Sequence, residues 1–289
     1  MMFVPELFKT IVRETTARAT LPRTPEPCLV MEGDKSVDAY ANGGRQSGAL
    51  SGVYLYHLAQ MCRMIRPDEV VLDVGCGPGN LLGQLAELNP RSEFVGLDMS
   101  PTMLARAESS FAAKGVSNVE LLRGDMTTLN GIDDKSVDVV VSSMAFHHLP
   151  DVEALDKTFA QIDRVLKPDG AVYFNDFGRL RHPESIRYFV SRAVEGESQE
   201  LVDDYYHSLH AAFTRQEYET LTRRHLRHRG RVYSTIISPL QIVIKSPDRH
   251  MAASAGELKR RFRALPRARK ADVRQLSIFL RLGGLSGAL

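Results

Sequence analysis

The sequence predicts an α/β protein built on a doubly wound, mainly parallel sheet, and three observations predict it. Five short, near-continuous apolar runs lie between Glu69 and Phe177, most of them separated by helix-spaced stretches. Such runs read as strands buried on both faces, as a parallel sheet with crossover helices requires. A glycine-dense turn, "GCGPG" (Gly75–Gly79), directly follows the first run. That is the strand end where open α/β sheets bind ligands. Finally, the chain has 289 residues, 43% hydrophobic and 25% charged. Those values suit a soluble protein of one domain with an elaboration, or of one domain plus a small second one.

The elements follow in order. Residues 1–34 combine a weakly amphipathic stretch with "LPRTPEP", whose prolines interrupt helix formation, and read as an N-terminal arm. "SVDAYANGGRQSGALSG" is small and polar and reads as a loop; "VYLYHLAQMCRMI" has helical spacing. "EVVLDV" (Glu69–Val74) is the first strand and "NLLGQLAEL" (Asn80–Leu88) the helix after it. "EFVGLD" (Glu93–Asp98) is the second strand. The next helix has Ser100 as N-cap, Pro101 at its first position and Gly115 at its end. "VELLRGD" (Val119–Asp125) and "VDVVVSS" (Val137–Ser143) are strands three and four. "DVEALDKTFAQIDRVL" carries Val152, Leu155, Phe159, Ile162 and Val165 along one helical face. "KPDG" is a turn before strand five, "AVYFNDF" (Ala171–Phe177). Residues 183–213 read as a helical insertion, and Thr214 with Glu217 forms a capping box for the helix beyond it. "RVYSTIIS" and "LQIVIKS" read as an antiparallel hairpin at the sheet edge, joined tightly through Ser238–Pro239. The last forty residues read as one or two basic helices with a frayed end.

Composition narrows the function classes. The net charge is only +2, but ten Lys or Arg stand against three Asp or Glu from Pro247 onward, after a cluster at Arg223, Arg224, Arg227, Arg229 and Arg231. This asymmetry suits either solvated helix faces or an acidic partner. Three cysteines, Cys28, Cys62 and Cys76, make no disulfide framework and no C-x-x-C metal pair. A reducing, cytoplasmic setting and no bound metal are therefore expected. No run approaches the length of a membrane helix, and the N-terminus lacks the apolar centre of a secretory signal.

The glycine turn calls for a ligand. Glycines permit positive φ and close backbone approach, and the helix start beyond offers unpaired N–H groups. The spacing departs from the G-x-G-x-x-G dinucleotide fingerprint, because Asn80 stands where its third glycine belongs. Asp73, on the strand before the turn, would oppose a pyrophosphate and favour a cation such as an amino acid's ammonium. Asp98, roughly 20 residues after Gly79, suits a ribose diol. Asp125, after strand three, could accept from an exocyclic amine. A lone strand-end Asp is commonly a helix cap; here three strands each deliver one to the same edge.

"VLDVGCGPG", "GLDMS", "RGDM", "VDVVVSSMAFHHLPD" and "VLKPDGAVYFND" resemble the successive motifs of the class I S-adenosylmethionine-dependent methyltransferases, in particular the small-molecule branch. The resemblance covers Val70 to Asp176 and resumes weakly over Phe213–Ser246. It implies a Rossmann-like seven-stranded sheet in the order 3-2-1-4-5-7-6, strand seven antiparallel. It implies S-adenosylmethionine as cofactor and S-adenosylhomocysteine as product. Asp73, Gly75, Cys76, Gly77 and Asn80 would surround the methionine moiety. Asp98 would hold the ribose, Met99 and Met103 would flank the adenine side, and Gly124, Asp125 and Met126 would bind the adenine. Ser142 or Ser143 would lie beside the methionine portion. Tyr40 and Arg45 would close over the donor, Arg45 on the carboxylate.

The domain organisation that follows is an arm with cap helices (1–66), the cofactor-binding core (67–182), a helical lid (183–213), the end of the sheet (214–246) and a basic helical extension (247–289). Methyl transfer from a sulfonium needs alignment in a dry pocket and, for some acceptors, a base. His147, His148 and Asp176 are the candidates for that base, with packing or capping the competing role for either histidine. Tyr205, Tyr206, His207 and His210, in the insertion, are candidates for acceptor contacts, against plain helix packing. Strand four ends in "SSMAF", not the Asn/Asp-Pro-Pro-Tyr of enzymes that methylate planar nitrogens, and no cysteine follows Cys76 to supply the thiols of an arsenite methyltransferase. The expected acceptor is a small molecule, at an oxygen, nitrogen or carbon. Two alternatives stay open: an RNA or acidic macromolecule docked through the basic tail, and a relative that keeps the cofactor without transferring its methyl. A homodimer through Val273, Leu276, Phe279 and Leu280 is a further expectation for the tail.

Overall fold

The computed structural model describes residues 5–27, 48, 50–193, 198–236, 238–250 and 254–287. Its centre is a seven-stranded sheet: β1 (Val70–Val74), β2 (Glu93–Asp98), β3 (Val119–Arg123), β4 (Val137–Ser143), β5 (Leu166–Phe177), β6 (Arg231–Ser234) and β7 (Gln241–Lys245). The spatial order is β3-β2-β1-β4-β5-β7-β6. β7 runs antiparallel to both β5 and β6, and the remaining pairs are parallel. Both the order and the reversed strand are as expected.

The helices are α1 (Pro5–Thr16), α2 (Ser51–Met61), α3 (Asn80–Leu88), α4 (Pro101–Lys114), α5 (Val152–Val165), α6 (Pro183–Ala193), α7 (Gln199–Ala211), α8 (Arg215–His225), α9 (Ala255–Ala264) and α10 (Arg267–Leu282), with one 3₁₀ turn at Phe146–His148. The caps fall where the sequence puts them. Ser100 accepts from Met103 N–H, Gly115 ends α4 in the left-handed region, Asp151 accepts from Ala154 N–H, and Thr214 and Glu217 close their capping box.

Side chains alternate across the strands, so each strand feeds two cores. Val71, Val139, Val141, Tyr173 and Val243 face α2, α3 and the C-terminal helices. Leu72, Val140, Val172, Phe174 and Ile244 face α5 and α8, with Phe159 at the centre of an aromatic group with Phe146, Phe174 and Tyr218. A third cluster joins α6 and α7 to the end of β5 through Phe177, Leu180, Ile186 and Leu209.

Several expectations need correction. "KPDG" is not a turn outside the sheet. β5 starts at Leu166, pairs with Val137, and absorbs the segment as a register shift before Ala171 pairs with Val139. β3 stops at Arg123: Gly124 N–H makes the last bond to β2, at Asp98 O, and Asp125 then turns the chain by accepting from Thr127 N–H. β6 stops at Ser234, after which Thr235 Oγ accepts from Gln241 N–H and ends the ladder. The C-terminal end is not frayed up to Gly287: Leu285 is buried and Ser286 O accepts from Gln60. The apolar face of α10 is turned inward. Val273 and Leu280 are buried against α2, and Leu276 and Phe279, half-buried, line a cavity. Among the described residues, no helix is long and apolar enough to cross a membrane.

Candidate active site

The strand ends of β1, β2 and β3 build one side of the site. Gly75, Gly77 and Gly79 have φ of 76°, 53° and 71°. This is the left-handed region, which glycine occupies without strain. Gly75 is needed for space as well, because a Cβ there would sit 2.5 Å from Ala145 Cβ. The N–H groups of Gly75 and Cys76 donate to Leu97 O at 2.8 and 3.0 Å, and Gly77 N–H donates to Asp98 Oδ2 at 2.8 Å. The turn is thereby pinned to the tip of β2.

Asp73 is the outlier. It is buried, and its Oδ1 meets no hydrogen-bond partner. Burial, then the neighbouring Asp98, pushes its pKa up to about 7. A buried carboxylate left this way is costly unless a cation or donor completes it. Asp98 is already engaged, by Gly77 and by Ser100 N–H at 2.9 Å, and burial raises its pKa. Asp125 Oδ1 accepts from Thr127 N–H at 2.7 Å. Met99 is 42% exposed beside Asp98, and Met126 reaches over Gly75. Met103 is buried in the first turn of α4, where its N–H meets Ser100. Burial, with Asp73 and Asp98, pushes the Cys76 thiol well up. A thiol held protonated in this way is inert.

The two serines divide. Ser142 Oγ donates to Val74 O at 2.7 Å and ties β4 to β1, whereas Ser143 Oγ is buried and unpartnered. Tyr40 and Arg45, like Cys28, lie outside the described residues.

The other side of the site starts at the tip of β4. Met144 is left-handed, with φ 54°, and its N–H donates to Asn175 O at 2.8 Å. That conformation is strained for a residue bearing a side chain and needs such support. The 3₁₀ turn then delivers His147 and His148. Asp176 accepts from His147 N–H at 3.0 Å and meets its Nδ1 at 2.6 Å, and also accepts from Phe177 N–H. Burial alone would push the His147 imidazole down; Asp176, with Glu26 and Asp204 beyond it, outweighs that and lifts it above the usual histidine range. His148 is pushed well down by burial and by His147. Asp176 thus sits under His147 as an orienting group, accepting hydrogen bonds at both of its oxygens. Asn175 points the opposite way, as strand alternation requires. Its buried amide has no partner.

A cavity of about 360 Å³ opens beside these residues. Its walls are largely apolar, with Ile11, Tyr54, Phe177, Phe189 and Phe279 coming from α1, α2, β5, α6 and α10. Its polar lining includes His147, His148, Asn175, Asp204 and Ser208. Residues of the insertion, of the arm and of the C-terminal extension all line it.

Of the four insertion candidates, only Tyr205 lines the cavity, its ring edge-on to Phe177 at 5.2 Å. Tyr206 and His207 are exposed, and His210 stacks on Tyr206 at 4.6 Å. The inward face of α7 is instead Leu201, Asp204, Tyr205 and Ser208. These are spaced i, i+3, i+4, i+7, and that periodicity was the available signal for Asp204 and Ser208. Burial and then Glu26 push the Asp204 pKa up to about 6. Glu26, from the arm, accepts from Ser208 Oγ at 2.8 Å and lies 3.9 Å from His147 Nε2. Arg23 fixes the arm here, donating to the carbonyls of His147, Leu149, Pro150 and Ala211 with its guanidinium 4.2 Å over Phe213. Nothing in the sequence around "TPEP" signals either role.

Comparison with known proteins places this geometry. Residues 71–170 match a family model described as "Methyltransferase domain". The arsenite methyltransferase of Halobacterium salinarum is 33% identical over 111 residues, 38% of this chain and 27% of that protein. The malonyl-[acyl-carrier protein] O-methyltransferase of Methylococcus capsulatus is 35% identical over 130 residues, 45% of this chain and 44% of that protein. The chain thus spans less than half the length of these two relatives. The plantazolicin methyltransferase BpumL, crystallised with a triazolic desmethylPZN analog and SAH, shares the fold with a TM-score of 0.53 and 19% identity, over 81% of this chain and 85% of that one.

Proposed function

We propose, on the premise of the methyltransferase-domain match over residues 71–170, that the chain is a class I S-adenosylmethionine-dependent methyltransferase that methylates an oxygen, nitrogen or carbon nucleophile of a small molecule and releases S-adenosylhomocysteine. The observation that carries the reading is Asp73: a buried carboxylate with an unpartnered oxygen, set against a left-handed glycine turn. An amino acid's ammonium is the cation that fits it, and the Cβ-free turn admits the rest of the ligand. In this reading Asp98 would meet the ribose hydroxyls, Met99 and Met126 the faces of the base, Asp125 its amine and Ser143 the methionine portion. Gly77, Gly124, Asn80 and Met103 shape these turns. When bound there, S-adenosylmethionine supplies an electrophilic methyl on a sulfonium.

The chain's own contribution is alignment, exclusion of water and handling of one proton. The largely apolar cavity supplies the dry environment in which alignment counts most. Asn175 offers an unpaired amide to the acceptor. Asp204 is a cavity carboxyl lifted to about 6. It is the proton acceptor best matched to neutral pH. His147, its ring fixed by Asp176, and His148 form the floor, and Tyr205 forms part of the wall.

The volume of the cavity, about 360 Å³, and its largely apolar walls suit a small acceptor. Within the basic tail, Arg249 pairs with Glu69 at 2.6 Å and Arg261 with Glu87 at 2.8 Å. Calorimetry with S-adenosylmethionine and S-adenosylhomocysteine tests the cofactor; absence of binding by both would sink the proposal. Incubation of cell extract with the chain and methyl-labelled donor should yield a labelled small molecule one methylene heavier than its precursor.

A further inference from the structure

Glu26, His147 and His148 meet on the floor of the acceptor cavity. Each offers one ligand atom, and the three atoms lie within 4.8 Å of one another, with Glu26 Oε1 3.9 Å from His147 Nε2. We propose that these three side chains bind one divalent transition-metal ion, Zn²⁺ in the first instance.

Four observations carry this. The donor set is two imidazoles and a carboxylate, which suits Zn²⁺ and its first-row neighbours and, with only three protein ligands, leaves coordination positions open. Metal bonds of about 2.0–2.2 Å place tetrahedral ligand atoms about 3.3 Å apart, so modest side-chain rotation gathers the three. Asp176 holds His147 Nδ1 at 2.6 Å and so turns Nε2 toward Glu26, where an incoming metal ion would displace the proton that Nε2 carries. A carboxylate behind a histidine is the usual device for orienting a metal-binding ring. His148 Nδ1 is buried and has no hydrogen-bond partner, and among the described residues no Lys or Arg pairs with Glu26 or Asp204. The two ligating segments are also fixed together, because Arg23, in the same stretch of the arm as Glu26, donates to His147 O at 3.0 Å.

The open positions face the cavity, which His147 and His148 line. The role assigned to the ion, unlike the site itself, rests on the proposed methyl transfer. It is to bind an acceptor hydroxyl or thiol: the O–H or S–H bond breaks, the proton passes to the Asp204 carboxylate, and the heteroatom keeps the electron pair on the metal. The substrate class is then an acceptor with an ionisable hydroxyl or thiol rather than a carbon acid.

The test needs no acceptor. Full-length chain without a polyhistidine tag, stripped with chelator and dialysed, is titrated with Zn²⁺ by calorimetry and with Co²⁺ by visible absorption, with S-adenosylhomocysteine affinity measured in parallel. The expected result is one ion per chain, a Co²⁺ band of low coordination number, loss of both in Glu26→Gln and His148→Ala, and unchanged S-adenosylhomocysteine affinity in those variants. Asp176→Asn should weaken Zn²⁺ by about 10–100-fold, as loss of an orienting carboxylate does. Failure of the wild-type chain to take up stoichiometric Zn²⁺ while it binds S-adenosylhomocysteine overturns the metal site and leaves the donor site standing. Uptake undiminished in both variants overturns it too, since the ion then sits elsewhere, for instance on His207 and His210. Zn²⁺ binding without any S-adenosylhomocysteine binding has the opposite meaning: the metal site holds and the methyltransferase reading fails.

Discussion

On the proposed reading, in which Asp73 meets the donor's ammonium, its raised pKa makes binding sensitive to pH in a direction that can be worked out. Its pKa in the free chain is about 7, and only the ionised form attracts an ammonium. Below that value a proton must leave before the ligand binds, so S-adenosylhomocysteine affinity should fall by about tenfold per pH unit and level off above it. Asp73→Asn should bind weakly at every pH, without that slope; a slope that survives the substitution would assign the titration elsewhere. The free chain should show the reciprocal effect. The folded state holds a proton that an unfolded Asp releases near its ordinary pKa, so stability declines as pH rises from about 4 to about 7, and bound donor offsets the loss. Gly75→Ala should cost about 1–2 kcal/mol for left-handed backbone alone, add a clash with Ala145, and abolish donor binding in calorimetry. Asp73 and the glycines were legible because chemistry and position coincide in one short segment. Glu26 was not: its role comes from tertiary placement beside His147, a residue far along the chain.

The sheet was almost wholly legible, since burial on both faces writes each strand as an apolar run and capping residues mark the helix starts. What failed were ends governed by specific side chains, such as Thr235 closing β6, and the register shift in β5, where backbone pairing continues through a turn-like sequence. On α7 the aromatic and histidine content drew attention to Tyr206, His207 and His210, whereas the helical period pointed to Asp204 and Ser208. A test of α5 is Phe159→Ala: loss of its aromatic contacts should cost about 3–5 kcal/mol, read by denaturant unfolding, with donor affinity little changed. For the extended segment after α1, Arg23→Ala should leave several carbonyls without their charged donor and cost about 1–3 kcal/mol. Limited proteolysis should then cut first within the arm. A cleavage pattern identical to wild type would show that the guanidinium does not hold it.

The basic extension looked, by charge, like a docking surface, and the fold uses much of it internally. α10 covers α2, α9 approaches α3 through the Arg261–Glu87 pair, and Phe279 completes the cavity. Removing residues 247–289 should therefore expose the α2 face and lower the melting temperature sharply, with dye-detected apolar surface in the truncated chain. An unchanged melting temperature would contradict this packing. One consequence concerns the order in which the two halves of the site come into being during synthesis. Every residue of the glycine turn and of the three acid-bearing strand tips precedes Phe177, so that side of the site is synthesised first. The acceptor chamber has walls from α1, near one terminus, and from α10, near the other, and cannot exist until the last helix has been released. The residues of the glycine turn are thus made well before the cavity walls are complete, although the core on both faces of the sheet still awaits β7 and the C-terminal helices.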